Sequence, residues 1–345
     1  MHSSAPEWFY QPSTKKGRFL GGGHMNSKCW MKPHTRVLKD IARAAQLASA
    51  LEVSGYPKPG NVHRTSDIPE STFEQFIASA IAIGPSLLSV TRNGFLAGRG
   101  KLELSKIGIG KYISEAVSET MRWQRNGNTN LGSVMLLVPL AASAGMAIGE
   151  RGKLTMRALR HNISRVLRST TPADAVGLYE AVLAAKPAGL GKLEKLDVND
   201  PKSRRELIKR RISAYEVMKI CSEWDDVARE WVTDYSITFG FGHPRLKEIY
   251  RRTRCINTTT VQIFLELLAH RPDTFVSRIK GRKIAEETSE KARIVLKEGG
   301  MLTKRGRELI AKLDSEFKRR DINPGTTADL TASAWMLTLL EGVRP

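Results

Sequence analysis

The stretch from Leu131 to Gly149 reads Leu-Gly-Ser-Val-Met-Leu-Leu-Val-Pro-Leu-Ala-Ala-Ser-Ala-Gly-Met-Ala-Ile-Gly and carries no charge, in a chain where 26% of residues are charged. A helix apolar on every face has to be buried on every face. This one is too short in purely apolar residues, and too rich in Gly, Ala and Ser, for a bilayer span of about 20 apolar residues. The spacing therefore predicts a central buried helix over about 131–148. Before it stand Asn126, Gly127, Asn128, Thr129 and Asn130, where the first free N–H groups of that helix point. Small polar side chains at a helix N-terminus suit a phosphate group, and they equally suit a plain capped turn.

The chain has 345 residues, 41% of them hydrophobic, which is enough for a full-sized core. Its net charge of +20 points to anionic partners: nucleic acid, a membrane surface or a polyphosphate. Cys29, Cys221 and Cys255 show no pairing or metal-ligand spacing, which suits a reducing cytoplasm. The seven histidines form no zinc motif, and the leader Met1–His24 has no apolar signal-peptide region. Aromatic residues do not interleave with the basic runs, and no nucleic-acid-binding signature is present, so nucleic acid is disfavoured as partner.

Residues 1–33, rich in Gly, Ser and Pro, read as a poorly ordered leader. From 34 to 345 the pattern is helical. Val37, Leu38, Ile41, Ala44, Ala45, Ala48 and Leu51 form one stripe at steps of three and four. Thr171-Pro-Ala-Asp174 is an N-cap with proline at the first helical position and an acid at the third. Further helices are expected over about 72–91, 106–125, 153–168, 204–219, 224–233, 244–251, 258–269, 282–297, 303–319 and 326–340. No run alternates as a strand. The fold class is all-α: one compact multi-helix domain around the buried helix.

Three polar clusters join the asparagine turn. In Tyr56-Pro-Lys-Pro-Gly-Asn-Val-His63, two prolines fix the backbone around Lys58, so the loop is expected to present Lys58, Asn61 and His63, unless it is a simple interhelix turn. In Arg271-Pro-Asp-Thr-Phe-Val-Ser-Arg-Ile-Lys-Gly281, Asp273 could hold Mg²⁺, with Arg278 and Lys280 on phosphate oxygens. Asp273 could equally be an N-cap. In Asp321-Ile-Asn-Pro-Gly-Thr-Thr-Ala-Asp-Leu330, Thr326 or Thr327 caps the last helix and Asp329 lies in its first turn, where the helix dipole favours an acid with or without a metal.

In this order the clusters resemble the triphosphoribosyl-dephospho-CoA synthase family, in a divergent, archaeal-like form. The family's Glu followed by Pro-Lys-Pro-Gly-Leu-Val-Asp is matched by Glu52 and Pro57-Lys58-Pro59-Gly60-Asn61-Val62-His63. Its Asn-Thr-His-Lys-Gly turn is matched by Asn128-Thr129-Asn130-Leu131-Gly132. Asp273-Thr274-Phe275 with Arg278-Ile279-Lys280-Gly281 stands for its Asp-Thr-Asn and Arg-Gly-Gly, and Pro324-Gly325-Thr326-Thr327-Ala328-Asp329-Leu330 for its Pro-Gly-Gly-Ser-Ala-Asp-Leu. The departures are Asn130-Leu131 for His-Lys, Phe275 for Asn and Lys280 for Gly.

The resemblance implies an all-helical cytoplasmic transferase that moves the triphosphoribosyl unit of ATP to the 2′-hydroxyl of dephospho-CoA and releases adenine. It implies Glu52, Lys58 and Asp273 as catalytic residues, with Mg²⁺ on Asp273 and Asp329. Substrate and phosphate contacts fall to Pro59, Gly60, Asn61, Asn128, Thr129, Asn130, Gly132, Arg278, Lys280, Gly325, Thr326 and Thr327. A homodimer is compatible with an enzyme of this size, and no membrane partner is expected. Two other readings stay open. One is an enzyme of another cofactor pathway using a nucleoside or ribosyl polyphosphate, and the other is a non-catalytic basic protein that binds RNA or another polyanion.

Overall fold

The computed structural model describes residues 34–69, 71–125, 127–191 and 195–345, and the expected leader 1–33 lies outside them. Among the described residues every element longer than an isolated bridge is helical, and the fold is all-α. Helix α1 (Thr35–Ser54) buries Leu38, Ile41, Ala44, Ala45 and Ala48 of the stripe read from the sequence, while Leu51 is half-buried and Val37, at the edge of the stripe, is exposed. The single helix expected over 72–91 is two, α2 (Phe73–Ala82) and α3 (Gly84–Gly98). Pro85 has no N–H to continue the first ladder, so the chain breaks at Ile83 and restarts.

After α4 (Ile109–Trp123) comes the central helix α5 (Leu131–Arg151), nearly every residue of which is buried. Its length and composition would let it cross a bilayer, yet 89% of its most apolar window is covered by other parts of the protein. Its largest contact is with α3, and small residues make that contact close. A Cβ on Gly94 would lie 1.9 Å from the carbonyl oxygen of Ala142, and one on Gly145 would lie 2.1 Å from that of Thr91. Gly98 and Gly149, each four residues further on, repeat the arrangement one turn along. The two backbones touch directly.

Helix α6 (Met156–Arg168) leads to α7 (Pro172–Ala185), which starts as predicted: Thr171 and Asp174 close a capping box with Pro172 in the first turn. The helix expected over 204–219 is α8 (Pro201–Lys209) and α9 (Ala214–Cys221), because Ser213 and Glu216 form a second capping box that starts a new helix. Helix α10 (Asp226–Val232) then crosses α5 where Pro139 interrupts it. Pro139 cannot donate to the carbonyl of Met135, and Trp231 Nε1 donates to that oxygen instead, at 2.9 Å. Tyr235 Oη donates to the next carbonyl, Leu136, at 2.8 Å. A proline inside a buried helix is tolerated because a neighbouring aromatic residue satisfies the carbonyl it strands.

A π-helical turn, Thr238–Gly242, enters α11 (His243–Thr253). Then follow α12 (Ile256–His270), α13 (Thr274–Lys280), α14 (Arg282–Lys297), α15 (Lys304–Arg319) and α16 (Gly325–Leu340). Phe264, Leu268, Val295, Ile310 and Phe317 form a second cluster between α12, α14 and α15. Many basic residues of this half are paired: Arg320 bridges Glu287 and Glu316, and Lys291 reaches the same two acids.

Candidate active site

The four polar clusters, far apart in the chain, meet at one cavity of about 520 Å³. That lies within the range of ~300–1,000 Å³ usual for small-molecule sites. Glu52 comes from the last turn of α1 and Asn61 from the proline loop. Asn128, Thr129, Asn130 and Gly132 come from the N-terminus of α5. Arg278 comes from α13, and Gly325, Thr326 and Asp329 from the first turns of α16. The opposite wall is apolar and built by Leu178 and Val182 of α7, Met218 of α9 and Trp224.

Some predicted residues stand behind this wall. Lys58 is not presented by its loop; it is fully buried, with its ammonium on the Glu52 carboxylate and 3.0 Å from the Glu52 carbonyl oxygen. Burial pulls its pKa below the usual lysine value, and the neighbouring Glu52 carboxylate works against that shift. Lys58 thus holds Glu52 in place, one oxygen engaged, and Glu52 Oε2 receives no donor from the described residues. Pro59 and Gly60 also miss the cavity. Gly60, at φ +73°, packs where a Cβ would lie 2.1 Å from the Ile322 carbonyl, and its N–H donates to Asp314. His63 is buried as well, its Nε2 3.1 Å from Asp314 Oδ2.

Asp273 does not reach the cavity either. Its Oδ1 accepts from Val276 N at 2.9 Å, capping its own helix. Its Oδ2 accepts from Thr327 N and Thr327 Oγ1, both at 2.7 Å. It therefore caps α16 from a distant part of the chain, a task the sequence gives to Thr326 or Thr327. Burial raises its pKa to about 6 against those hydrogen bonds. With both oxygens engaged, Asp273 is a brace between α13 and α16, and Thr327 is its partner. Lys280 points away to an ion pair with Asp321 at 2.7 Å.

Of the two acids expected to hold a metal, Asp329 is the one that faces the cavity. Ser133 Oγ donates to its Oδ1 at 2.6 Å, and its Oδ2 stands where a Cβ on Gly132 would lie 2.1 Å away. Gly132 is needed because the carboxyl group occupies the space a side chain would fill. Asn128 Oδ1 accepts from Leu131 N at 2.9 Å, and the N–H groups of Gly132 and Ser133 have no hydrogen-bond partner among the described residues. The acid answering this helix end is thus the protein's own. Burial pushes Asp329 up to about 8; the Ser133 hydrogen bond opposes this, and nearby Glu52, Asp273 and Asp225 add to it.

A carboxyl raised in the folded state stabilises below its unfolded pKa of 3.8, and that contribution is lost as pH rises through about 8. Asp329→Asn lacks the effect. In magnesium-free buffer its Tm advantage over wild type is expected to grow by several degrees from pH 5 to pH 8 and then level off. A difference independent of pH would show that Asp329 titrates normally.

Arg278 is the one lysine, arginine or histidine among the described lining residues, against four acids: Glu52, Asp197, Asp225 and Asp329. It lies 5.1 Å over the Phe275 ring and 3.3 Å from Asp225 Oδ2, while Asp225 Oδ1 caps α10 through Val227 N and Ala228 N. Sequence reasoning missed Ser133, Asp225 and the apolar wall. Ser133 and Asp225 look like ordinary helix-cap residues, and Leu178 and Val182, one turn apart, look like core.

Residues 38–344 match the model of the family described as ATP:dephospho-CoA triphosphoribosyl transferase. The 2-(5''-triphosphoribosyl)-3'-dephosphocoenzyme-A synthase of Escherichia fergusonii is 22% identical over 306 residues, 87% of this chain and 90% of that one. A solved structure from Archaeoglobus fulgidus, of a candidate triphosphoribosyl-dephospho-CoA synthase, superposes with a TM-score of 0.60 at 29% identity. It covers 79% of this chain and 100% of its own. The chain belongs to the ATP:dephospho-CoA triphosphoribosyl transferase family.

Proposed function

We propose that the chain transfers the triphosphoribosyl unit of ATP to the 2′-hydroxyl of dephospho-CoA. The observation that carries the reading is the meeting of Glu52 and Asp329, from opposite ends of a family-matched chain, on one cavity with Arg278. In the reaction the bond between C1′ of the ATP ribose and N9 of adenine breaks. The acceptor oxygen bonds to C1′, and its proton passes through Glu52 to the departing adenine. A carboxylate fixed by Lys58 suits this, since positive charge builds on the ribose as adenine leaves. The apolar wall at Leu178, Val182 and Trp224 offers a surface for a base or a pantetheine chain.

The cavity's own charges fit a divalent cation. A cation beside Asp329 would offset the burial and the neighbouring carboxylates that push its pKa up to about 8. Mg²⁺ is commonly held by one or two carboxylates together with substrate phosphates. Asp329 would supply such a carboxylate, which leaves Glu52 free to take the acceptor's proton, in keeping with the absence among the described residues of any group of three acid, His or Cys ligands. The ion would neutralise phosphate charge. Arg278, freed from Asp225, would take a phosphate oxygen.

The test is chromatography of ATP and Mg²⁺ with and without dephospho-CoA. Adenine should appear only with the acceptor, one per product formed. ADP or AMP in its place, or no adenine under any condition, would overturn the assignment.

A further inference from the structure

The end of α1 and the proline loop bring to the cavity two side-chain oxygens that the transfer reaction as described does not use. Asn61, 4% exposed, lines the cavity and donates through Nδ2 to Asn323 Oδ1 at 2.9 Å. Its Oδ1 is shut off from water and has no hydrogen-bond partner. Ser49, one helical turn before Glu52, lines the same cavity, and its Oγ is also buried without a partner. Only one other side-chain atom among the described residues is in this state. A polar atom withdrawn from water and left unpaired costs stability, so two on the lining of one cavity call for an explanation. The Ser49 hydroxyl can turn about χ1, and Asn61 lines the cavity with its amide held by Asn323.

The chemistry of the group they await follows from what they offer. Asn61 Oδ1 and Glu52 Oε2 are acceptors only, and Ser49 Oγ can accept or donate. Such a set repels a phosphate, the ligand expected for Asn61 from the sequence. It attracts O–H donors on neighbouring carbons. We propose that Ser49, Glu52 and Asn61 form a subsite for the hydroxyl edge of a ribose, with Asn61 as its specificity-determining residue. The inference rests on the transferase reading and deepens it, since both the nucleotide donor and the dephospho-CoA acceptor carry such an edge. Asn323 positions Asn61, and the phosphates are left to Arg278.

Equilibrium binding tests this without turnover, so its outcome is separate from that of the adenine-release assay. ATP, 2′-deoxy-ATP and 3′-deoxy-ATP are titrated with Mg²⁺ into wild type, Asn61→Leu and Ser49→Ala, and dephospho-CoA is titrated into the same three proteins. Wild type should bind ATP about three- to tenfold more tightly than at least one deoxy analogue, the effect of one neutral hydrogen bond. Asn61→Leu should bind ATP and that analogue alike, with unchanged affinity for the analogue. If the ATP series shows no discrimination while Asn61→Leu weakens dephospho-CoA binding by a similar factor, the edge is the acceptor's and the subsite stands. Thermal denaturation adds a readout that a purely structural role would move the other way. Removing an unpaired buried oxygen should leave the Tm of ligand-free Ser49→Ala unchanged or raised. Equal binding of every nucleotide by wild type together with unaltered dephospho-CoA affinity in both variants would overturn the proposal. So would discrimination left intact in Asn61→Leu, or a lowered Tm in Ser49→Ala.

Discussion

Glu52→Gln is expected to lower kcat for adenine release by about 10²–10⁴, the usual contribution of a positioned base, while ATP affinity changes by only a few fold. The substitution keeps shape and removes the charge that meets Lys58 and the incoming hydroxyl. Lys58→Met should behave differently. Lys58 never touches the cavity, so its effect on chemistry runs through Glu52. Removing one partner of a buried pair leaves an uncompensated charge and costs about 3–5 kcal/mol. The double variant Glu52→Gln/Lys58→Met removes both charges and should recover much of that stability. Its kcat should match that of Glu52→Gln alone, because the lysine has nothing left to position. If the two activity losses instead multiply, Lys58 acts on substrate independently of Glu52, and the positioning role is wrong.

What the sequence revealed and what it hid divide along the range of the interaction. The central helix was legible because nineteen uncharged residues in a strongly charged chain have no other place to go. The start of α7 was legible because Thr171, Pro172 and Asp174 carry their whole signal within four residues. The convergence of the four polar clusters came from their resemblance to a family, since no local pattern says which loops will meet. Asp273 shows the limit. Its sequence context serves a metal ligand and an N-cap equally well, and the choice is made by Thr327, 54 residues away. Lys58 shows it again, since a lysine between two prolines looks displayed until Glu52 and Phe264 are seen closing over it. The break between α8 and α9 was missed because the basic run Arg204–Arg211 is a good helix former, and the stop lies in the cap at Ser213.

Gly145→Ala is expected to destabilise the protein by about 3 kcal/mol or more, at the upper end of the cost of overpacking a core. The intrinsic preference of a helix interior runs the other way, favouring alanine over glycine by about 1 kcal/mol. Packing decides the sign. The new Cβ would sit 2.1 Å from the Thr91 carbonyl oxygen and 3.2 Å from Phe95 N, and these are backbone atoms inside α3 that cannot rotate away. The helices would have to separate, and Gly94, Gly98 and Gly149 bind them along the same line, so the contact opens as a whole. Gly191→Ala is the control, since a Cβ there meets nothing within 4 Å among the described residues and the backbone is not left-handed. Urea denaturation of both variants should shift the midpoint strongly for Gly145→Ala, with little change in slope, and hardly at all for Gly191→Ala. Equal midpoints would mean that α3 and α5 have room between them, and the direct backbone contact that places the N-terminus of α5 at the cavity would have to be given up.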